Sequence, residues 1–455
     1  MPLLLLSLLL GVQQPSGLAV SNVTVVDIAS GARAPGSTVI ITGNRITAVG
    51  PSASIKIPSG ARRVDGGGRY LIPGLWDMHV HLSMTGRSAL ALFLASGVTG
   101  VRDMGGDVTR VLPMRDSVAR ELIPGPRILT AGSIVERGNW IRAVRGLGER
   151  LKQPGLIAEM DRRLPLDSVS DGPRVVDSLM KLGVDFIKIR NFPPPPVYFA
   201  FARAARERGL RISGHAPPPA IIGQVSDSGF VSFEHSVIDF VNGGLVGGFD
   251  AMAPADRAAL FARFARNGTA FDPTLISSRS RFIADSTIER MIADSSAADR
   301  PELRFASPAV RAEWRDQLAM RQADDKLDWN PTYRSTLRDV REMAAAGMLI
   351  VGGTDVPVVT LIPGFSLYDE LELLVKEAGM TPLAALATST INAAKVLGLA
   401  DSLGQVAPGF VADLILLDRD PTADISAVRG LHAVIRNGKL LERRDLDRLR
   451  EEGKR

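Results

Sequence analysis

The stretch Leu71-Ile-Pro-Gly-Leu-Trp-Asp-Met-His-Val-His-Leu82 ends an apolar run on two histidines. In an extended strand residues i and i+2 project to one face, about 7 Å apart, so His79 and His81 can grip one cation. Taken alone, an H-x-H fits two satisfied strand-end histidines equally well. The chain holds only five histidines in 455 residues, and two more close short β-like runs: Leu210-Arg-Ile-Ser-Gly-His215 and Phe230-Val-Ser-Phe-Glu-His235. Asp355 ends Met348-Leu-Ile-Val-Gly-Gly-Thr-Asp355 in the same manner. Such groups at the C-terminal ends of successive strands sit where barrel enzymes carry their catalytic residues.

Working outward, strand-like runs fall near 75–81 (β1), 98–103 (β2), 127–133 (β3), 184–190 (β4), 210–215 (β5), 230–235 (β6), 270–276 (β7) and 348–355 (β8). The intervening stretches, such as Pro196 to Gly209 and Ser335 to Gly347, have helical composition and end in the usual C-capping glycine. Strand and helix in alternation imply a parallel sheet, and eight units predict a (β/α)8 TIM barrel in the α/β class. Lys188 lies in Val184-Asp-Phe-Ile-Lys-Ile-Arg190, sharing a face with Phe186 and Arg190. A lysine in a barrel interior is pushed by desolvation toward its neutral amine, which can capture carbon dioxide as a carbamate. The bland reading is a lysine snorkelling from a strand end.

These residues resemble the metal-dependent amidohydrolases, in the branch related to imidazolonepropionase and the Xaa-Pro and Xaa-Arg dipeptidases. The resemblance runs through Ile72-Pro-Gly-Leu-Trp-Asp-Met-His-Val-His81, Gly97-Val-Thr-Gly-Val-Arg-Asp-Met-Gly-Gly106, Gly183-Val-Asp-Phe-Ile-Lys188 and Gly353-Thr-Asp355. It continues in Thr390-Ile-Asn-Ala-Ala-Lys-Val-Leu-Gly398 and Gly404-Gln-Val-Ala-Pro-Gly-Phe-Val-Ala-Asp-Leu-Ile-Leu-Leu-Asp418. It implies two divalent metal ions, with zinc suiting an imidazole and carboxylate shell. His79, His81 and Asp355 would hold one, His215 and His235 the other, and carbamylated Lys188 would bridge them. The implied chemistry is attack on an amide or peptide-like C–N bond by a metal-bridging hydroxide, with Asp355 as general base and then general acid.

Two departures limit the substrate reading. Dipeptidase-like relatives follow the β5 histidine with Ala-Tyr, the tyrosine acting as oxyanion donor, whereas this chain has His215-Ala-Pro-Pro-Pro219. The loop after β3, Gly132-Ser-Ile-Val-Glu-Arg-Gly-Asn-Trp140, lacks the relatives' histidine. Asn191 and Tyr198, near the β4 exit, are candidate replacement donors. Roughly 55 residues from Ser278 to Thr332 form an insertion whose Trp314 and Trp329 are candidates for covering the substrate, or for pinning the insertion to the barrel. An esterase, lactonase or phosphotriesterase on the same metals, a mononuclear deaminase or cyclic-imide hydrolase, and a non-catalytic binding protein are the alternatives.

Composition agrees with a globular enzyme: 45% hydrophobic, 23% charged, and a net charge of +5 spread over 54 basic and 49 acidic residues without a basic run. The expected partner is a small-molecule amide or peptide, with no nucleic acid, no permanent membrane anchor and room for a homo-oligomer. Zero cysteines exclude disulfides and thiolate ligands. Residues 1–17 read as a signal peptide, against a buried strand, so a secreted or periplasmic location is expected, with the cytoplasm as the alternative. Segments 18–72 and 406–443 alternate apolar and polar residues and are expected to join in one small β-sandwich beside a barrel over 73–405. From Glu442 the chain reads as a charge-rich helix, so that residues 444–455 are expected to be a charged, solvated tail.

Overall fold

Seven of the eight apolar runs form strands close to their expected positions. The structure, a computed structural model, describes residues 17–241, 244–294, 300–324 and 327–455. The segment read as a signal peptide lies, apart from Gly17, outside the described residues. Strands β1 (Leu75–Val80), β2 (Val98–Asp103) and β3 (Arg127–Thr130) pair in parallel in that order. So do β4 (Ile187–Ile189), β5 (Ile212–His215), β6 (Phe230–Glu234) and β7 (Ala270–Asp272). The two sets meet where Asp185 N donates to Thr130 O at 2.9 Å.

Two strands depart from the sequence reading, each because of glycine. β3 stops at Thr130, the chain turns at left-handed Gly132 (φ 66°), and it resumes as Val135–Glu136 beside β4. The run 348–355 is not a continuous strand but two parallel bridges, Phe271 to Ile350 and Val80 to Val356. Between them Met78 N still donates to Gly352 O at 3.0 Å. A Cβ on Gly353 would fall 2.4 Å from Asp272 Oδ2 and 2.6 Å from His79 Cβ, so only glycine admits those two side chains. Helices Ala89–Ala95, Val108–Ala119, Asp171–Leu182, Pro195–Glu207, Ile222–Asp227, Pro254–Asn267 and Asn330–Ala345 lie between strands. Their apolar faces share one core with the strands, in which Phe201, Phe233, Phe261 and Phe264 are fully buried. Each such phenylalanine contributes about 2–3 kcal/mol by leaving water. The result is a TIM-barrel-like α/β arrangement.

The two chain ends share a second, eight-stranded sheet. Leu414–Leu417 pairs antiparallel with Tyr70–Pro73, Leu416 opposite Leu71, which ties the C-terminal hairpin to the N-terminal strands. Val20, Val23, Val39, Ile41, Leu414 and Ile435 fill its own apolar cluster. The far edge of this sheet, Arg45–Pro51, comes back to the C-terminal segment through Ile46 N to Phe410 O, 2.9 Å. The last helix, Arg443–Glu452, corrects the expectation of a solvated tail: Leu446 and Leu449, three residues apart on one face, are buried in the main core. Charge density on a helix does not prevent a two-residue apolar stripe from docking.

The described parts of the insertion are largely helical. Helix Pro308–Asp324 buries Val310, Trp314 and Leu318 against Leu92, Val359 and Ile362, while Ala312, Glu313 and Gln317 line a cavity. Gln317 ties this helix to the loop after Asp355, donating to Pro357 O (3.2 Å) and accepting from Val359 N (2.8 Å). Among the described residues, no helix is long and apolar enough to cross a membrane.

Candidate metal centre

The strand ends bring His79, His81, Lys188, His215, His235 and Asp355 to one place. The ring centroids of His79 lie 5.4 Å from His81 and 4.5 Å from His235, and His215 lies 4.8 Å from His235. Asp355 Oδ1 is 3.4 Å from His79 Nε2 and 3.3 Å from His81 Nε2, and Oδ2 is 3.9 Å from His235 Nδ1. Lys188 is 1% exposed and its Nζ has no hydrogen-bond partner.

Hydrogen bonds on the outer side of each ring fix which nitrogen faces inward. His79 Nδ1 lies 2.9 Å from Glu234 Oε2, and His81 Nδ1 lies 2.8 Å from Gly105 O. A carboxylate and a carbonyl only accept, so each Nδ1 carries a hydrogen, and His79, whose burial disfavours the charged ring, presents a lone pair at Nε2. His79 Nε2 therefore meets Asp355 Oδ1 acceptor to acceptor, whereas against the effect of burial the hydrogen bond and charge of Asp355 raise the His81 ring above the usual imidazole range. His79 Nε2 is buried and unpartnered. Such a donor set fits a divalent cation. Burial drives the proton affinity of His79, His215 and His235 well below the usual imidazole range. Burial also lowers the Lys188 ammonium to about 8. Burial works to raise Asp355, but His235, His79 and His81 together hold it well below the ordinary carboxylate range.

The backbone is strained around this point. His235 (φ 65°), Thr274 (φ 42°) and Asp355 (φ 63°) are all left-handed, at roughly 1–2 kcal/mol each. Hydrogen bonds over-determine them: His235 N to Asp272 O (2.8 Å), Asp355 N to His79 O (2.7 Å), and the amides of Leu275 and Ile276 to the two oxygens of buried Glu370 (3.0 and 2.7 Å). Thr274 Oγ1 reaches His235 Nδ1 at 2.7 Å, and Ser277 Oγ donates to Asp355 Oδ2 at 3.2 Å.

Beneath the histidines lies a polar layer that the sequence reading did not single out. Arg102, on β2 and 1% exposed, donates from Nη2 to both oxygens of Glu234 (2.9 Å each), from Nη1 to Ser232 Oγ (2.8 Å) and from Nε to Met78 O (2.6 Å). Asp272 Oδ2 stands 3.4 Å from Arg102, and burial raises its carboxyl well above the usual range. His79, Glu234 and Asp272 also have metal-compatible spacing, but Arg102 already occupies that group. An arginine inside the apolar run Val98-Thr-Gly-Val-Arg-Asp103, and a glutamate directly before His235, were the available signals.

The other candidates fall elsewhere. Tyr198 is fully buried in the core, its hydroxyl 3.1 Å from Ser228 Oγ. Asn191 donates its backbone N–H to Glu136 (2.9 Å), and its buried side-chain nitrogen has no partner. Trp314 is fully buried among apolar side chains, and Trp329 stacks under Arg281 at 4.0 Å, so neither lines the cavity. That cavity, about 440 Å³, opens at His81 and Gly105 and is walled by Glu159, Arg163, Glu313 and Gln317.

Comparison with known proteins agrees with this geometry. Residues 70–441 match the Amidohydrolase family. An imidazolonepropionase from Cereibacter sphaeroides is 27% identical over 425 residues, covering 90% of this chain and 95% of its own. The solved bottromycin amidohydrolase superposes with a TM-score of 0.68 at 25% identity, over 96% of this chain and 89% of that one. A prolidase solved with N-methylphosphonate-L-proline gives 0.68 at 21%, over 94% and 100%. The chain is a hydrolase that belongs to the amidohydrolase family.

Proposed function

We propose that this chain is a binuclear metal hydrolase that cleaves an amide or peptide-like C–N bond in a small molecule. The observation that carries this reading is the convergence of His79 Nε2, His81 Nε2 and Asp355 Oδ1, with His79 Nε2 buried and unpartnered. One ion would rest on those three, and a second on His215 and His235. Lys188 would lie between them as a carbamate, a reading supported by its buried, unpartnered nitrogen. Zinc suits the set. Metal ions so held lower the pKa of a water molecule and polarise the carbonyl under attack.

Asp355 is the proton carrier in this reading. Its Oδ2 is steadied by Ser277, and its left-handed backbone aims the carboxylate between the histidines. As the water oxygen bonds to the carbonyl carbon, Asp355 takes the water's proton and then delivers it to the nitrogen as the C–N bond breaks. The parallel strands are read as a closed (β/α)8 barrel over 73–405 with an insertion at 278–332. The terminal sheet, 18–72 plus 406–443, is read as a β-sandwich. Helix Pro308–Asp324 is then a fixed wall of the substrate cavity, bolted by Gln317 to the loop that follows Asp355.

A second reading, ring opening or deamination with one metal, is favoured by the relative named imidazolonepropionase. It leaves Lys188 without a task. Metal analysis separates the two: active protein should hold close to two divalent ions per chain and lose turnover with a chelator. Lys188→Ala should abolish activity, with partial recovery on adding a short carboxylic acid. Fully active protein with one tightly bound ion overturns the binuclear reading.

A further inference from the structure

We propose that Arg190 is a catalytic residue of this chain, donating hydrogen bonds to the carbonyl oxygen of the scissile amide as negative charge builds there. The inference rests on the amide-hydrolase reading above. Arg190 is the first residue beyond β4 and shares the face of Lys188 by strand alternation. The register of Ile189 opposite Gly214 sets it beside His215 across the β4–β5 pair. His215, Lys188 and Asp355 all lie within range of its charge, so it addresses the centre from the β4 side.

Its donors are unspent. The side chain of Arg190 makes no hydrogen bond or ion pair among the described residues, although Glu136 and Glu159 lie near enough to feel its charge. Both are taken by Arg163, whose Nη1 donates to Glu136 Oε2 at 3.0 Å and whose Nη2 pairs with Glu159. A guanidinium carries five N–H donors, and those of a part-buried arginine are normally satisfied. Arg190 is half-buried, and none of its nitrogens is among the side-chain atoms sealed from solvent without a partner. The alternatives are weaker. Tyr198 is engaged with Ser228, the side-chain nitrogen of Asn191 is sealed from solvent, and Ala216-Pro-Pro-Pro219 offers no side-chain donor.

The chemistry balances without a change in the protonation of Arg190. Water oxygen bonds to the carbonyl carbon, the C=O π pair moves onto oxygen, and Asp355 holds the water's proton. When that pair returns, the C–N bond breaks and the proton goes to nitrogen. Arg190 meets the oxygen while it carries the charge, as donors of an oxyanion hole do.

The test compares metal-loaded wild type, Arg190→Gln and Arg190→Lys on an N-acyl amino acid and on the matching N-acyl amine that lacks the carboxylate. Because Arg190 has no partner, neither substitution strands another group, and metal content and circular dichroism verify both. Arg190→Gln should lower kcat about 10²–10³-fold on both substrates alike, with KM less affected, and Arg190→Lys should recover part. Binding of an N-methylphosphonate amino acid should weaken far more in Arg190→Gln than binding of the product acid. Loss confined to the carboxylate substrate makes Arg190 an anchor for that group and overturns the proposal, as does an unchanged kcat. If wild type hydrolyses no amide, the functional reading fails by itself. The phosphonate titration still judges Arg190, and equal affinity in wild type and Arg190→Gln overturns it.

Discussion

Replacing Arg102 with methionine removes the one cation of the layer beneath the histidines while keeping most of its volume. Wild-type Arg102 donates to Glu234 twice, to Ser232 and to Met78 O. Glu234 in turn holds His79 Nδ1 at 2.9 Å. In Arg102→Met, Glu234 is left at 0% exposure facing Asp272, also at 0%, with no guanidinium between them. Removing one member of a buried pair costs about 3–5 kcal/mol, because the surviving charge keeps its desolvation penalty. Urea unfolding of the metal-stripped variant should show that loss. Arg102→Met combined with Glu234→Gln, which removes the stranded charge but keeps an acceptor for His79, should recover at least about 1–2 kcal/mol. Metal titration gives the second readout. With His79 no longer held by an anchored carboxylate, affinity should fall about 10–100-fold. A single variant destabilised by less than about 1 kcal/mol, with metal affinity unchanged, would refute the claim that Arg102 positions His79 through Glu234.

Two further outcomes are expected. Asp355→Asn should cost at least about 100-fold in turnover, the scale of a lost general base; a smaller loss with full metal content points to another proton carrier. Far from the centre, burial lifts the carboxyl of Asp339 to about 6 against the pull of Arg338. Its folded pKa exceeds the unfolded value, so the stability it supplies is full below pH about 4 and is lost as pH rises through 6, roughly 3 kcal/mol in all. Asp339→Asn should therefore gain on wild type between pH 4 and 7 in urea unfolding, and a constant difference across that window defeats the assignment.

The residues legible from sequence were those whose type clashed with their apolar surroundings. His79, His81, Lys188, His215, His235 and Asp355 each interrupt a strand-like run, and strand periodicity sends them to one end. The supporting layer obeyed the same rule but was hidden by it: Arg102 and Glu234 also interrupt apolar runs, yet their meaning depends on meeting across the strands, which no local pattern encodes. Trp314 shows the reverse failure. A tryptophan amid charges looked fit for a substrate, but helical spacing puts it on the Val310–Leu318 face, buried against Leu92, while Glu313 and Gln317 take the cavity side. Strand β8 was legible as an apolar run but not as a broken one, because Gly352 and Gly353 yield their space to His79, Asp272 and Ser389.

His79 belongs to two overlapping groups with metal-compatible spacing, and charge decides between them. In one, with His81 and Asp355, it offers Nε2; in the other, with Glu234 and Asp272, it offers Nδ1. A divalent ion would prefer the second on charge alone, since that group has two carboxyls against one. Arg102 reverses the preference by filling the lower group with a covalently tethered cation and turning Glu234 into an acceptor for the Nδ1 hydrogen. The lone pair is thereby committed toward Asp355 and His81, where a metal ion would take it. The buried arginine thus acts as a specificity device as well as a structural one, choosing which face of His79 is free. On the reading proposed for Arg190 the pairing of Arg163 with Glu136 and Glu159 has the same effect, since a guanidinium tied to either carboxylate would leave developing charge on the substrate unmet.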